Sequence, residues 1–280
     1  MKTILVLEGG GMRGLYTVGV LDVLMEKQIK IDAIIGVSAG ALFGVNYLSK
    51  QPGRAIRYNM KYVCDKKYMG FYSLLTTGNI MNKDFCFNKL VYDLDPFDFE
   101  TFKKSETEFY VTVTNVETGE AEYIKIKDLE KDMEYLRASG SMPLVSKIVE
   151  VNNKKYLDGG IADSIPIEKA KQLGNAKIIV VQTRPIDYRK KQNNMLLYKI
   201  SYRKYPNLLK AIQNRYLIYN QTIENIIKYE QNGEIFVIRP SKKVNIDRIE
   251  KNIDKIKDMY ELGKNDTGAK INDLIKFIDK

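Results

Sequence analysis

Thr3-Ile4-Leu5-Val6-Leu7-Glu8-Gly9-Gly10-Gly11-Met12-Arg13-Gly14 opens the chain, and Ile31-Asp32-Ala33-Ile34-Ile35-Gly36-Val37-Ser38-Ala39-Gly40 follows it. Each stretch is a short apolar run that ends in small residues. Runs of this length, rich in β-branched side chains and closed by glycine, read as strands. Arg13–Lys27 has helical length between them, and Ala39–Ser49 reads as a second helix. Strand–helix–strand–helix, with strands apolar on both faces, predicts a mainly parallel sheet covered by helices on both sides, an α/β/α sandwich.

The rest of the chain extends that plan. Residues 52–104 are irregular and rich in Tyr, Phe and Lys, and they predict short helices and loops that cap the site. Phe109–Val116 and Glu120–Ile126 flank Glu117-Thr118-Gly119 as a hairpin. Asp128–Ala138 reads as a helix, Ile148–Val151 and Lys155–Leu157 as short strands. Pro166–Leu173 is a helix with proline near its start, and Lys177–Thr183 a buried strand. Leu209, Ile212, Tyr216, Tyr219, Ile223 and Ile226 then recur at helical spacing, and Glu234–Ile238 is a strand closed by Pro240. Ile249, Ile253, Ile256 and Tyr260 predict a further amphipathic helix, and Ile271, Leu274, Ile275 and Ile278 a last one. No Gly/Ser-rich linker divides the chain. The expectation is one domain over 1–280, with a core of about 3–183 and a mostly helical extension of about 184–280.

Composition narrows the chemistry. The 280 residues contain no histidine, so a Ser-His-Asp or Cys-His site within this chain is excluded, as is any His-ligated metal. Proton transfer must use carboxylate, lysine, tyrosine, cysteine or water. Cys64 and Cys86 show no CxxC spacing and read as free thiols, and no metal or other cofactor is expected. Met1-Lys2 leads straight into the first strand, so no signal peptide is expected. No apolar run reaches the ~18 residues of a membrane span. These features predict a soluble, cytoplasmic protein. The net charge of +10 is spread along the chain. It reads as a solubility feature, with no specific nucleic-acid partner expected.

Gly36-Val37-Ser38-Ala39-Gly40 is a G-x-S-x-G sequence between a strand and a helix, the context that motif requires. A sharp turn there projects the Ser38 hydroxyl from the sheet edge beside a helix amino end, which favours a developing anion. Gly9-Gly10-Gly11-Met12-Arg13-Gly14 also lies between strand and helix. Its amides, with the Arg13 cation, suit an oxyanion or a phosphate. As a dinucleotide fingerprint it fails, because Asp32 begins the second strand where a ribose-binding acid should end it. With no histidine and no S-x-x-K lysine, a carboxylate is the candidate base for Ser38. Asp158, in Tyr156-Leu157-Asp158-Gly159-Gly160, follows a short strand. If that strand joins the parallel sheet, Asp158 reaches the same edge as Ser38.

These residues together resemble the patatin-like phospholipases, above all their short bacterial members. The resemblance rests on Gly9–Gly14, Gly36–Gly40 and Asp158-Gly159-Gly160 in this order, with Ala138-Ser139 and Pro143, and Asp163-Ser164-Ile165-Pro166, as secondary matches; it covers roughly residues 3–183. It implies a Ser-Asp dyad with Ser38 as nucleophile and Asp158 as base. It implies an oxyanion hole from the amides of Gly10, Gly11 and Met12, with Arg13 supporting that loop. The remaining motif glycines, Gly9, Gly14, Gly36, Gly40, Gly159 and Gly160, would serve the turns. The implied activity is hydrolysis of acyl esters of lipids, with peripheral contact at an anionic membrane surface. A non-catalytic acyl-lipid-binding protein on the same fold is the alternative.

Other residues read more plainly. Asp163 starts a helix. Asp93, Asp95 and Asp98 have the spacing of a calcium loop but lack its glycine and distal glutamate, so they read as a solvated acidic turn. The aromatic-basic stretches Tyr188–Lys191 and Tyr198–Tyr205 read as an exposed loop and helix start, with docking on anionic headgroups as the sharper alternative.

Overall fold

The computed structural model describes residues 1–280. Eight strands form one sheet: β1 (Lys2–Leu7), β2 (Ala33–Val37), β3 (Glu108–Asn115), β4 (Ala121–Ile126), β5 (Val149–Val151), β6 (Lys154–Asp158), β7 (Ala176–Val181) and β8 (Ile235–Ile238). The order is β5-β6-β3-β2-β1-β7-β8, with β4 also paired to β3. The central pairs β2–β1, β1–β7, β7–β8 and β2–β3 are parallel. The pairs β3–β4, β3–β6 and β5–β6 are antiparallel, so the sheet is mixed.

The apolar strands are buried on both faces, and their side chains split by the two-residue period of a strand. In β1, Leu5 and Leu7 join one core while Ile4 and Val6 join the other; in β7, Ile179 and Val181 oppose Ile178 and Val180. The larger core lies under α1 (Leu15–Glu26), α2 (Ala39–Leu48), α3 (Arg54–Tyr62), α5 (Phe99–Lys104), α6 (Leu129–Ser139) and the carboxyl-terminal helix, while α4 (Phe71–Thr77) adds no side chain to it. The opposite face is covered by α7 (Ile167–Gln172) and by α9 (Pro206–Gln231), which follows the short α8 (Leu196–Ser201). Pro166 precedes α7 rather than lying inside it.

The two helices expected at the carboxyl end are one: α10 runs from Ile253 to Asp279, and Ile249 lies before it. Within it, Gly263 lets α10 press against α1. A Cβ on Gly263 would overlap the Tyr16 carbonyl, and one on Gly19 the Tyr260 carbonyl. The Tyr16 hydroxyl donates to Asp266 at 3.0 Å, and the Tyr260 hydroxyl donates back to Asp22 at 2.9 Å. α1 is mainly apolar and enclosed by sheet and neighbouring helices. Ten of its twelve residues are buried. No helix is long and apolar enough to cross a membrane.

Candidate active site

The register of β3 explains how two distant stretches of chain meet. β2 pairs with β3 up to Val37 opposite Thr112. β6 pairs antiparallel with the end of β3, Asp158 opposite Val113. Both Val113 and Thr114 also pair with β4, which must therefore occupy the other edge. β2 and β6 thus share one edge of β3 and run toward each other, and the turn at Ser38 vacates the edge that β6 fills. Asp158 was expected at the end of a parallel strand. It reaches Ser38 from an antiparallel one, and it is the last residue of that strand.

At this junction the Ser38 hydroxyl donates to Asp158 Oδ2 at 2.7 Å. Ser38 has φ 53° and ψ −123°, a backbone conformation that costs a non-glycine residue of order 1–3 kcal/mol. The strain is held by pairing. The Ser38 amide donates to Ser139 Oγ at 2.8 Å, and the Ser139 hydroxyl donates to the Thr112 carbonyl at 2.7 Å. The Ser38 carbonyl accepts from the amides of Ala41 and Leu42. Glycines allow the turn to nest. A Cβ on Gly40 would stand 2.5 Å from the Leu7 carbonyl, one on Gly9 2.9 Å from Ser38 Cβ, and one on Gly36 2.6 Å from Ala41.

Asp158 is buried, and burial raises its pKa above the ordinary carboxylate value; Arg215, the Ser38 hydroxyl, the Gly160 amide and Arg248 oppose the shift. Its Oδ1 accepts from the Gly160 amide at 2.8 Å, and its own amide donates to the Ser141 carbonyl at 2.9 Å. Gly159 lies against the Thr112 carbonyl, where a Cβ would overlap it.

The glycine loop leads into a short 3-10 turn, Gly11–Gly14. Gly11 sits at φ +59°, where a side chain would also meet the Arg248 backbone. Gly14 packs on Ala39, with 2.7 Å between its notional Cβ and the alanine's. The amides of Gly10 and Gly11 have no acceptor within the chain. The Met12 amide departs from the expectation: it donates to the Arg248 carbonyl at 3.1 Å and so anchors the loop instead of facing the site. Arg13 is buried, and its Nε has no partner. Burial, with Arg184 and Arg248 nearby, pulls its pKa down to about 10, so it remains a cation at neutral pH.

Two cavities meet at Ser38. One, of about 100 Å³, is lined mainly by apolar side chains, including Phe43, Tyr58, Ile80, Phe87, Leu90 and Phe97. Most of these come from the region expected to form a cap, including Phe87 and Leu90 of the π-helical stretch Phe85–Leu94. The other cavity, of about 290 Å³, is polar and also reaches Asp158 and the glycine loop.

Several residues gained or lost a role. Tyr188, Lys190 and Tyr198, expected in an exposed loop and helix start, line the polar cavity. Arg189, between them, pairs outward with Glu224. Asp163 accepts from the Tyr123 hydroxyl at 2.7 Å, apart from Ser38. Asp95 is not a solvated acid, since Arg57 binds both its oxygens at 2.8 Å. Arg215 and Arg248 were not legible as site residues; each lies in the last third of the chain with no local motif around it. Ser139 carried only the weak signal of its spacing to Pro143.

The fold and the site define an α/β/α protein of the strand–turn–serine–helix type. The chain belongs to the patatin-like phospholipase family, whose model matches residues 5–171. A second model, a domain of unknown function (DUF6363), matches residues 205–279. The uncharacterized protein YjjU of Escherichia coli (strain K12) is 26% identical over 267 residues, covering 93% of this chain and 74% of YjjU. Lysophospholipase nte1 of Aspergillus niger is 30% identical over 199 residues, covering 65% of this chain but 12% of that protein. Lysophospholipase NTE1 of Meyerozyma guilliermondii is 27% identical, over 68% of this chain and 13% of its own. The chain therefore matches only a small part of these fungal proteins. Among solved structures, VipD from Legionella pneumophila aligns at 13% identity and TM-score 0.45, over 99% of this chain and 66% of its own.

Proposed function

We propose that the chain is a serine esterase that hydrolyses acyl esters of lipids, with Ser38 as nucleophile and Asp158 as base. The observation that carries this reading is the 2.7 Å bond from the Ser38 hydroxyl to a buried carboxylate, beside two unpaired glycine amides. Ser38 Oγ attacks the ester carbonyl as its proton passes to Asp158. The oxyanion that forms accepts from the Gly10 and Gly11 amides. The proton then goes to the departing alcohol oxygen as the C–O bond breaks. Water, deprotonated by Asp158, hydrolyses the acyl-serine and releases the fatty acid. A free aspartate, with pKa ~3.9, is a weak base for a serine hydroxyl. The raised pKa of Asp158 favours the transfer, and preorganised amides supply about 3 kcal/mol per donor. The apolar cavity at Ser38 suits an acyl chain.

Two exposed apolar helices support docking at a membrane surface. The 144–147 loop is bonded on one side to residues just after α4, through Ile80 to Val145 and Lys147 to Asn79. On the other side Leu144 donates to Tyr202, just after α8. Phe71 and Leu75 on α4 are 71% and 70% exposed, and Leu196, Leu197 and Ile200 on α8 are comparably bare. α8 buries no residue. Lys147, Lys199, Arg203 and Lys204 surround them, as an anionic bilayer would require.

The test is release of chromophore from a p-nitrophenyl acyl ester, with fluorophosphonate labelling of the wild type and Ser38→Ala. Labelling and turnover that both vanish in Ser38→Ala support the reading. Full turnover by Ser38→Ala overturns it, and binding of acyl lipid with no turnover by the wild type would indicate the non-catalytic protein instead.

A further inference from the structure

The polar cavity at Ser38 carries a charge excess that the chain does not neutralise. Arg13, Arg184, Lys190, Arg215 and Arg248 line it, against the carboxylates of Glu8 and Asp158. Both carboxylates are engaged elsewhere. Glu8 accepts from the Thr183 amide and hydroxyl and from the Tyr219 hydroxyl. Asp158 accepts from Ser38 and Gly160. None of the five basic residues forms an ion pair. Arg13 is only 7% exposed, and the Nε atoms of Arg13 and Arg215 lack any acceptor. Buried guanidinium groups without acceptors are costly, and a multivalent anion removes the cost.

The position of the cavity says which anion. An ester held at Ser38 with its acyl chain in the apolar cavity directs its alcohol portion into the polar one. Given the esterase reading above, on which this rests, we infer that the polar cavity binds the phosphate of the departing alcohol and selects, among phospholipids, those with a net anionic headgroup. Hydrolysis then consumes water and yields a fatty acid and the glycerophosphate-bearing alcohol. A phosphate offers the several oxygens that arginine forks match. A zwitterionic headgroup would set its ammonium among these five basic residues, where like charges repel it. The two acids are taken, and two of the three tyrosines that line the cavity already carry a cation, Tyr188 from Arg184 at 4.4 Å and Tyr219 from Lys190 at 3.9 Å. Burial, with Arg215 and Arg248, depresses the Lys190 pKa, and a bound anion reverses that effect. Arg215 and Arg248 lie in residues 205–279, so the region of unassigned function supplies part of the headgroup site.

The test compares three substrates with one acyl chain in neutral detergent micelles: monoacylglycerol phosphate, monoacylglycerol phosphocholine and monoacylglycerol. The expected result is a KM about tenfold or more lower for the phosphate than for the other two, as one charge-assisted hydrogen bond already supplies. Lys190→Gln and Arg248→Gln should each collapse that ratio toward one. Equal KM values in the wild type, or variants that slow all three substrates alike with the ratio intact, overturn the inference. Calorimetry on Ser38→Ala separates a lipid headgroup from free phosphate. Short-chain monoacylglycerol phosphate should bind, and inorganic phosphate should bind far more weakly. Equal binding would assign the cavity to free phosphate and overturn the inference. Binding by Ser38→Ala together with an inactive wild type would sink the esterase reading and leave the phosphate site standing.

Discussion

Val37 and Asp158 face adjacent residues of one strand, Thr112 and Val113, so the strands bearing them converge end to end along a single edge of β3. The serine turn lies where they meet, and Ser139 ties it to β3, accepting from the Ser38 amide and donating to the Thr112 carbonyl. Ser139→Ala removes both bonds and leaves a buried amide and carbonyl unpaired. The expected cost is about 1–3 kcal/mol in urea unfolding. Turnover should fall by about tenfold or more, because displaced reacting atoms lose rate steeply. Wild-type stability and turnover in this variant would show that Ser139 does not hold the turn.

Strain at Ser38 separates stability from activity. Glycine adopts the φ 53° backbone without the strain that serine bears there. Ser38→Gly should therefore be inactive yet more stable than Ser38→Ala by about 1 kcal/mol, the low end of such strain energies. Chemical denaturation of the two variants decides it, and equal midpoints would place the strain elsewhere.

The pH profile follows from the raised pKa of Asp158. A base must be ionised, so kcat/KM should rise with pH through that pKa. The acid limb should lie above the ~3.9 of a free aspartate. Stability runs the opposite way. A carboxyl whose folded pKa is raised stabilises the fold while protonated, and this contribution is lost as pH rises through the folded value. Asp158→Asn should thus raise the melting temperature at neutral pH, with the advantage shrinking as pH falls toward the unfolded value. An Asn variant less stable than wild type at pH 7 would contradict this.

Gly263 offers a test of sign. Helix propensity alone predicts that Gly263→Ala stabilises α10 by about 1 kcal/mol. The Tyr16 carbonyl occupies the space of that Cβ, so the helices must part. The variant should be destabilised by about 1–3 kcal/mol, the usual range for overpacking. A gain in stability would mean that α1 and α10 are less closely seated.

Membrane docking predicts paired losses. Leu75→Ser and Leu197→Ser each remove an apolar side chain worth about 1.5–3 kcal/mol on burial. Each should weaken partitioning onto anionic vesicles about tenfold or more in a sedimentation assay, with little change on a soluble ester. Unaltered partitioning in both would remove these helices from the docking surface.

The central strands, both motif loops and the cap were legible in sequence because each depends on local pattern: short apolar runs, glycines at turns and aromatic clusters. Asp158 was legible as a partner for Ser38, but for an incomplete physical reason, since no local pattern tells an antiparallel β6 from a parallel one. The continuity of α10 and the fit at Gly263 were not legible, because the partner that packs on that glycine, α1, lies far away in sequence. Arg215 and Arg248 were illegible for the same cause. A basic residue on an amphipathic helix or in a loop looks like surface until long-range folding closes a cavity over it.

The tether from the Met12 amide to the Arg248 carbonyl joins the glycine loop to a segment that the ribosome makes long after it. A ribosome that has released Ser38 and Asp158 has not yet delivered the clasp on the glycine loop, nor the α10 surface that shields α1. Reactivity of Ser38 should then arrive with α10 rather than with the serine itself. Stalled chains ending before Arg248 that react with fluorophosphonate as fast as the finished protein would show otherwise.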